Sequence, residues 1–190
     1  MYLGLDLGTS SVKALIVDAS GTAVASQSVP LQVIRRKAGW SEQDPQSWWD
    51  ATNRAVRSLG AEYPEEMRKI TGIGLSGQMH GLTALDANDT VLRPAILWND
   101  TRSASQAMQL DTGHPAFRQL GGNAVMPGFT APKAVWIAEN EPELFQRLGT
   151  VLLPKDYLRL RMTDEKVSDM SDAAGTLWLD VARRDWSDEL

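Results

Sequence analysis

Along the first part of the chain, apolar residues come in short bursts broken by clusters of small polar ones. Residues 2–7 are apolar and β-tolerant, Gly8-Thr9-Ser10-Ser11 reads as a turn, and 12–17 is apolar again. Asp18-Ala19-Ser20-Gly21 is a second turn, and 22–29 alternates raggedly. Tight turns between consecutive strands predict an antiparallel meander, because parallel neighbours need a long crossover. A helix then opens with Asp44 as N-cap and Pro45 at its first position, and Gly60 stands as its expected stop. Its apolar positions Trp48, Trp49, Ala55, Val56 and Leu59 fall mainly on one face.

Further along, the pattern predicts a strand over 70–76 and a turn at 77–81. Strands over 82–85 and 91–98 follow across an Asn88-Asp89 turn, then a helix over 101–110 and an irregular stretch over 111–128. Helices over 131–140 and 142–148 are parted by Pro142, and a short strand over 151–153 precedes a helix over 155–162. A meander followed by β–α alternation predicts an α/β fold, a mixed sheet flanked by helices. At the end, Ser187 precedes Asp188, Glu189 and Leu190, the pattern of a helix start. It predicts a portion of a longer chain, with a frayed natural tail as the alternative.

Composition narrows the chemistry. The 190 residues carry 43% hydrophobic side chains, enough for one full core. With no cysteine, disulfide frameworks, thiolate metal sites and thiol nucleophiles are excluded. Lys and Arg number 19 against 24 Asp and Glu, for a net charge of −5 spread along the chain, which argues against nucleic-acid binding. Met1-Tyr2-Leu3-Gly4-Leu5-Asp6 lacks the basic start of a signal peptide, and no apolar run is long enough to span a membrane. A cytoplasmic protein is the expectation.

The sharpest constellation is Asp6-Leu7-Gly8-Thr9-Ser10-Ser11-Val12-Lys13. An aspartate ends a buried strand, and a glycine, three hydroxyls and a lysine follow. Such a turn can offer N–H groups and hydroxyls to phosphate oxygens, Asp6 can hold Mg²⁺, and Lys13 can neutralise phosphate charge. An ordinary hairpin turn is the competing reading, since the same residues dominate turns. The spacing of a P-loop is absent. A second constellation, Ser76-Gly77-Gln78-Met79-His80-Gly81, puts polar groups and an imidazole between glycines at a strand end. His80 could meet a hydroxyl and Met79 a carbon skeleton; the competing reading is a structural histidine. Trp98 differs from the other tryptophans because Asn99-Asp100 follows it, setting an aromatic face beside hydrogen-bonding groups. Asp100 either holds a sugar hydroxyl or caps the helix beginning near Thr101. Asp169 and Asp172 read as capping or loop residues, and His114 as surface.

These stretches together resemble the FGGY carbohydrate kinases. Asp6-Leu7-Gly8-Thr9-Ser10 through Lys13 is similar to the first phosphate motif of the actin/hexokinase/sugar-kinase superfamily, and Gly74 to Gly81 to the family's sugar-contacting loop. Pro94 to Arg102 resembles the segment whose tryptophan lines the sugar pocket, and Gly128 to Trp136 the family's first signature, with Ala134 where a larger residue is usual. Leu153 to Leu158 and Asp169 to Thr176 also fit; Gly122 and Asp164 are small departures in loops.

The resemblance runs over 1–190 and implies most of a ribonuclease H-like first domain, with the nucleotide-binding domain outside the sequence. It implies ATP-dependent phosphorylation of a ketose, in the branch acting on D-xylulose at C5. The implied roles are Asp6 for Mg²⁺; Gly8, Thr9, Ser10 and Lys13 for ATP phosphates; and Gln78, Met79, His80, Trp98 and Asp100 for the sugar. A homodimer is implied for the whole kinase. The family's catalytic aspartate follows a Gly-Gly pair. Here Gly121-Gly122 is followed by Asn123 and by no aspartate before Asp156, so the base is expected beyond Leu190. Two rivals stand: a kinase of the same family for ribulose, gluconate, fuculose or glycerol, and a sugar-binding module without catalysis.

Overall fold

The computed structural model describes residues 1–190. Its elements run β1 (Tyr2–Leu7), β2 (Ser11–Val17), β3 (Ala23–Pro30), β4 (Glu42–Gln43), α1 (Pro45–Glu62), α2 (Pro64–Met67), β5 (Gly72–Gly77), β6 (Thr83–Leu85) and β7 (Ala95–Ile96). There follow α3 (Ala104–Gly113), α4 (Ala116–Gln119), α5 (Thr130–Asn140), α6 (Pro142–Phe145), β8 (Thr150–Leu152), α7 (Pro154–Thr163), α8 (Met170–Ala173), a 3₁₀ turn (Ala174–Thr176), β9 (Leu179–Asp180) and β10 (Asp185–Trp186).

The main sheet has the order β3-β2-β1-β5. The meander is antiparallel as the turns require, and α1 supplies the crossover that lets β5 return parallel to β1. Asp44 caps α1, accepting the Gln46 N–H at 3.0 Å. One face of α1 closes over the sheet: Ala55 and Leu59 pack with Leu3, Leu5, Ala14 and Ile16, and Trp48 joins the adjoining cluster around Leu7, Val12, Leu97 and Leu158. That second cluster fastens the main sheet to the β4–β7 and β6–β8 pairs and to α7. No helix is long and apolar enough to cross a membrane.

Several local expectations are corrected. Gly60 lies inside α1, which runs to Glu62 and ends with the Tyr63 N–H on Leu59 O; burial of Leu59 outweighs glycine's poor helix propensity. The strand expected over 91–98 shrinks to Ala95–Ile96, and the helix over 142–148 to Pro142–Phe145. The stretch taken as irregular contains α4. Ser187 opens no helix: its Oγ accepts the Leu190 N–H at 3.3 Å, a cap-like bond, just after β10 pairs back on β9.

Candidate functional site

The parallel pair β1 and β5 runs in register to Leu7 and Gly77. Beyond them the Gln78 N–H donates to Leu7 O at 2.7 Å, so the hairpin after β1 and the loop after β5 leave the sheet side by side. Gly77 permits that approach, since a Cβ there would lie 3.1 Å from Leu7 O and 3.3 Å from the Lys155 Cβ. The two sequence constellations therefore meet at one sheet end.

A hydrogen-bond network joins them. The Trp98 indole donates to Thr9 Oγ1 at 3.0 Å, and Thr9 Oγ1 donates to Gln78 Oε1 at 3.1 Å. Gln78 Nε2 donates to Gln43 Oε1 at 2.9 Å, and the same oxygen accepts Trp48 Nε1 at 3.0 Å. Gln43 Nε2 closes the ring on Thr9 O at 2.8 Å. An indole can only donate, so Trp48 fixes which end of the Gln43 amide faces it, and that choice sets every later donor and acceptor.

The network revises three assignments. The Thr9 hydroxyl points its proton at Gln78 and accepts from Trp98, so it is engaged within the network and the backbone N–H is the donor Thr9 leaves free. Gln78 is buried with its amide turned inward to Gln43 and Thr9. The Gly8 N–H is taken by Ser11 O at 3.0 Å, and the residue is small because a Cβ would sit 3.1 Å from that oxygen. Thr9 and Ser10 leave their backbone N–H groups unpartnered at the hairpin tip, where they can receive anionic oxygens.

Asp6, Lys13 and Ser76 occupy mutually opposed positions on β1, β2 and β5, hence one sheet face, and all three are exposed beside the hairpin. A lone exposed carboxylate next to a phosphate cradle fits Mg²⁺, which keeps most of its waters and binds through one or two carboxylates plus phosphate.

On the other side His80 is held in a slot. Its backbone is left-handed, with φ of 63°, and its ring stacks on Phe129 with centroids 4.5 Å apart. Its carbonyl accepts Lys133 Nζ at 2.7 Å and Thr130 Oγ1 at 3.2 Å. Against the ring's Cδ2–Nε2 edge lies Gly175, where a Cβ would come within 2.5 Å of the imidazole. Burial, aided by the Lys133 charge, lowers the His80 pKa to about 4, so the ring is neutral at pH 7. Met79 beside it is 54% exposed, and Trp98 is 46% exposed. A cleft of about 390 Å³ opens between this loop and α8, lined by Ser76, Met79, His80, Lys155, Asp169 and Asp172.

Asp100 takes neither role left open by the sequence. It is buried, with Oδ2 accepting the Ser41 N–H at 2.6 Å and Arg102 Nη2 at 2.7 Å. Its Oδ1 accepts the Arg102 N–H and Nε, both at 2.9 Å, and α3 begins at a Ser103 cap whose hydroxyl makes no capping bond and donates instead to Pro127 O at 3.2 Å. Asp169 does cap α8, accepting the Asp172 N–H at 2.9 Å.

Three residues that the sequence reading did not single out shape the site. Gln43 is fully buried at the centre of the network. Lys133 is fully buried and bridges His80 O and Gly128 O, both at 2.7 Å. Burial lowers its pKa to about 7, with Asp100 opposing and Arg102 assisting. Lys155 bonds Asp156 at 2.6 Å and Asp169 and Asp172 at 3.0 Å each. Burial opposes its charge, but the carboxylates outweigh that and hold it above the ordinary ammonium value. A lone lysine in the apolar run 131–137 was the one signal that could have been read.

Comparison with known proteins agrees with the geometry. The FGGY family of carbohydrate kinases, N-terminal domain, matches residues 1–190. The chain is 55% identical to the xylulose kinase of Escherichia coli (strain K12) over 99% of its own length and 38% of that protein's. The crystal structure of a xyloylose kinase from Brucella ovis superposes with a TM-score of 0.97 at 60% identity, covering 99% of this chain and 39% of that one. That of a gluconate kinase from Lactobacillus acidophilus gives 0.92 at 29%, covering 99% and 38%. The chain thus spans well under half the length of these relatives, and its mixed sheet with flanking helices is the actin/hexokinase-like fold of sugar kinases. By this match and this architecture, the chain belongs to the FGGY family of carbohydrate kinases, as an N-terminal domain.

Proposed function

We propose that residues 1–190 are the sugar- and phosphate-contacting portion of a longer cytoplasmic kinase that transfers the γ-phosphoryl group of ATP to the C5 hydroxyl of D-xylulose. One observation carries the reading: the phosphate hairpin and the His80 loop leave adjacent strands and are tied together through Thr9, Gln78 and Trp98. The relatives described as xylulose kinases favour this sugar.

Each residue then has a task. The Thr9 and Ser10 N–H groups, the exposed Ser10 hydroxyl and Lys13 receive phosphoryl oxygens. Asp6 would hold Mg²⁺, whose contribution when bound is to neutralise charge on the phosphates. Neutral His80 hydrogen-bonds a ketose hydroxyl, while Met79 and the exposed face of Trp98 pack on the carbon chain. The proton acceptor for the attacking hydroxyl is assigned to the part of the kinase beyond Leu190.

The test is to express the full reading frame containing these residues and follow ATP-dependent phosphorylation of D-xylulose, D-ribulose, gluconate and glycerol. The highest kcat/KM is expected for D-xylulose, and His80→Ala should raise its KM at least about tenfold, the scale of a lost hydrogen bond that leaves a buried group unpaired. Preference for gluconate would support the family but overturn the substrate. An unchanged KM in His80→Ala would overturn the sugar-loop assignment.

A further inference from the structure

We propose that Gln43 is a positioning residue that sets the phosphate hairpin against the sugar loop during phosphoryl transfer, an inference that rests on the kinase reading above. Gln43 sits on β4, opposite Ala95 of β7, and is completely buried. Both its neighbours are anchored. Glu42 is buried and pairs with Arg93 and with Arg102, the latter at 2.9 Å, while Asp44 caps α1. The backbone that presents the amide is therefore fixed from both sides.

The amide makes contacts to three separate parts of the molecule. Its oxygen accepts from Trp48 of α1 at 3.0 Å and from Gln78 of the sugar loop at 2.9 Å. Its nitrogen donates to the Thr9 carbonyl at the hairpin tip at 2.8 Å. The Thr9 peptide carbonyl it grips belongs to the same peptide unit as the Ser10 N–H, one of the two donors left for phosphate. Holding that carbonyl holds the orientation of the N–H, since a peptide unit is planar. Gln43 touches neither Met79 nor His80 through these bonds, so it acts on phosphate geometry more than on ketose contact. Only an amide, or a protonated carboxyl of the same shape, offers the acceptor and donor ends this place requires.

The experiment uses the full-length kinase and two variants, Gln43→Met and Gln43→Glu. Wild-type turnover of D-xylulose is measured first; its absence overturns the proposed function and is distinguishable from any result on Gln43. With wild type active, Gln43→Met should lower kcat at least about tenfold, the scale set by small misplacements of reacting groups. The KM for the ketose should stay within about threefold.

Gln43→Glu places a carboxyl oxygen against the Thr9 carbonyl. The charged form is repelled there and burial raises the pKa, whereas the protonated form restores the donor. Its groups in bonding contact are the neutral Thr9, Trp48 and Gln78, and the charged residues flanking it in sequence are Glu42 and Asp44. The kcat of Gln43→Glu, taken relative to wild type at each pH, should therefore rise as pH falls from 8 to 5.5, while that of Gln43→Met stays flat. Normalising to wild type removes the titrations of His80 and Lys133. Rescue by acid in the glutamate variant alone supports the proposal. Parallel profiles in the two variants, or an unchanged kcat in Gln43→Met, overturn it. Should Gln43→Met fail to fold, the profile of Gln43→Glu decides by itself.

Discussion

Substituting Gly175 by alanine tests the slot that holds His80. A Cβ at this position would lie 2.5 Å from His80 Cδ2 and 2.6 Å from Nε2. Ordinary carbon contacts begin at about 3.5 Å, so about 1 Å of overlap must be relieved. Gly175 has no positive φ, so alanine brings no backbone strain and the collision is the whole perturbation. The imidazole cannot simply retreat, because Phe129 stacks on it with centroids 4.5 Å apart and Lys133 grips the carbonyl at 2.7 Å. The ring must tilt or the slot must widen, and either displaces it by about the overlap.

Overpacking of this kind costs about 1–3 kcal/mol of stability, and an error of about 1 Å at a site costs about a hundredfold. In the full-length kinase, Gly175→Ala should raise the KM for D-xylulose by one to two orders of magnitude and lower the unfolding free energy within that range. The double variant with His80→Ala supplies the control. If the imidazole is what the methyl strikes, Gly175→Ala should cost nothing further once the His80 ring is gone, a coupling of about 1 kcal/mol or more in the cycle. Wild-type KM and stability in Gly175→Ala, or additive effects in the double variant, would refute the slot.

Three other outcomes follow from the charges. Asp100→Ala removes one of the two carboxylates paired with buried Arg102, leaving the guanidinium to Glu42 alone and the Ser41 N–H without an acceptor, and should cost about 3 kcal/mol in denaturant unfolding. Lys133 falls from 10.5 to about 7 in the folded chain, so its burial penalises folding below pH 7 and the penalty is relieved as pH rises from 7 toward 10.5; Lys133→Met should lose that rise in unfolding free energy. His80 drops from 6.5 to about 4, so folding stability is lost as pH falls from 6.5 through 4, and ketose KM should be flat from pH 8 to 6 and climb below 5; a climb centred near 6.5 would contradict the buried neutral ring.

What could be read from the chain alone was whatever lies contiguous in it. Asp6 to Lys13 carries its strand, turn and charges in one run, and Gly77 to Gly81 carries its imidazole between glycines, so both loops and the sheet they leave were legible. Gln43 comes from a segment with no local sign of chemistry, and Lys133 and Gly175 lie in stretches whose residues do not by themselves point to a role; all three matter because β4, α5 and the 3₁₀ turn converge on those loops. The errors have the same origin. Thr9 and Gln78 carry groups suited to ligands, but a polar side chain beside another buried one is satisfied internally first. Asp100 reads as a ligand or a cap because it follows Trp98 closely and precedes the helix near Thr101, whereas the chain turns between them and Arg102 closes over the carboxylate.

The two halves of the site are consequently built on opposite principles. On the proposed ketose side the His80 ring is neutral and its conformation is fixed by a stack, a close glycine and two bonds to its carbonyl, so little ordering would remain to be done for an uncharged sugar. On the proposed phosphate side Asp6, Ser10 and Lys13 are exposed, and only the backbone beneath them is held. Charged side chains left in water keep their hydration until a charged ligand replaces it, whereas a buried, unpaired charge waiting for phosphate would destabilise the fold throughout. The rigid part of the cradle is therefore the peptide backbone at Thr9, and the fully buried Gln43 amide is what carries that rigidity across from the sugar loop.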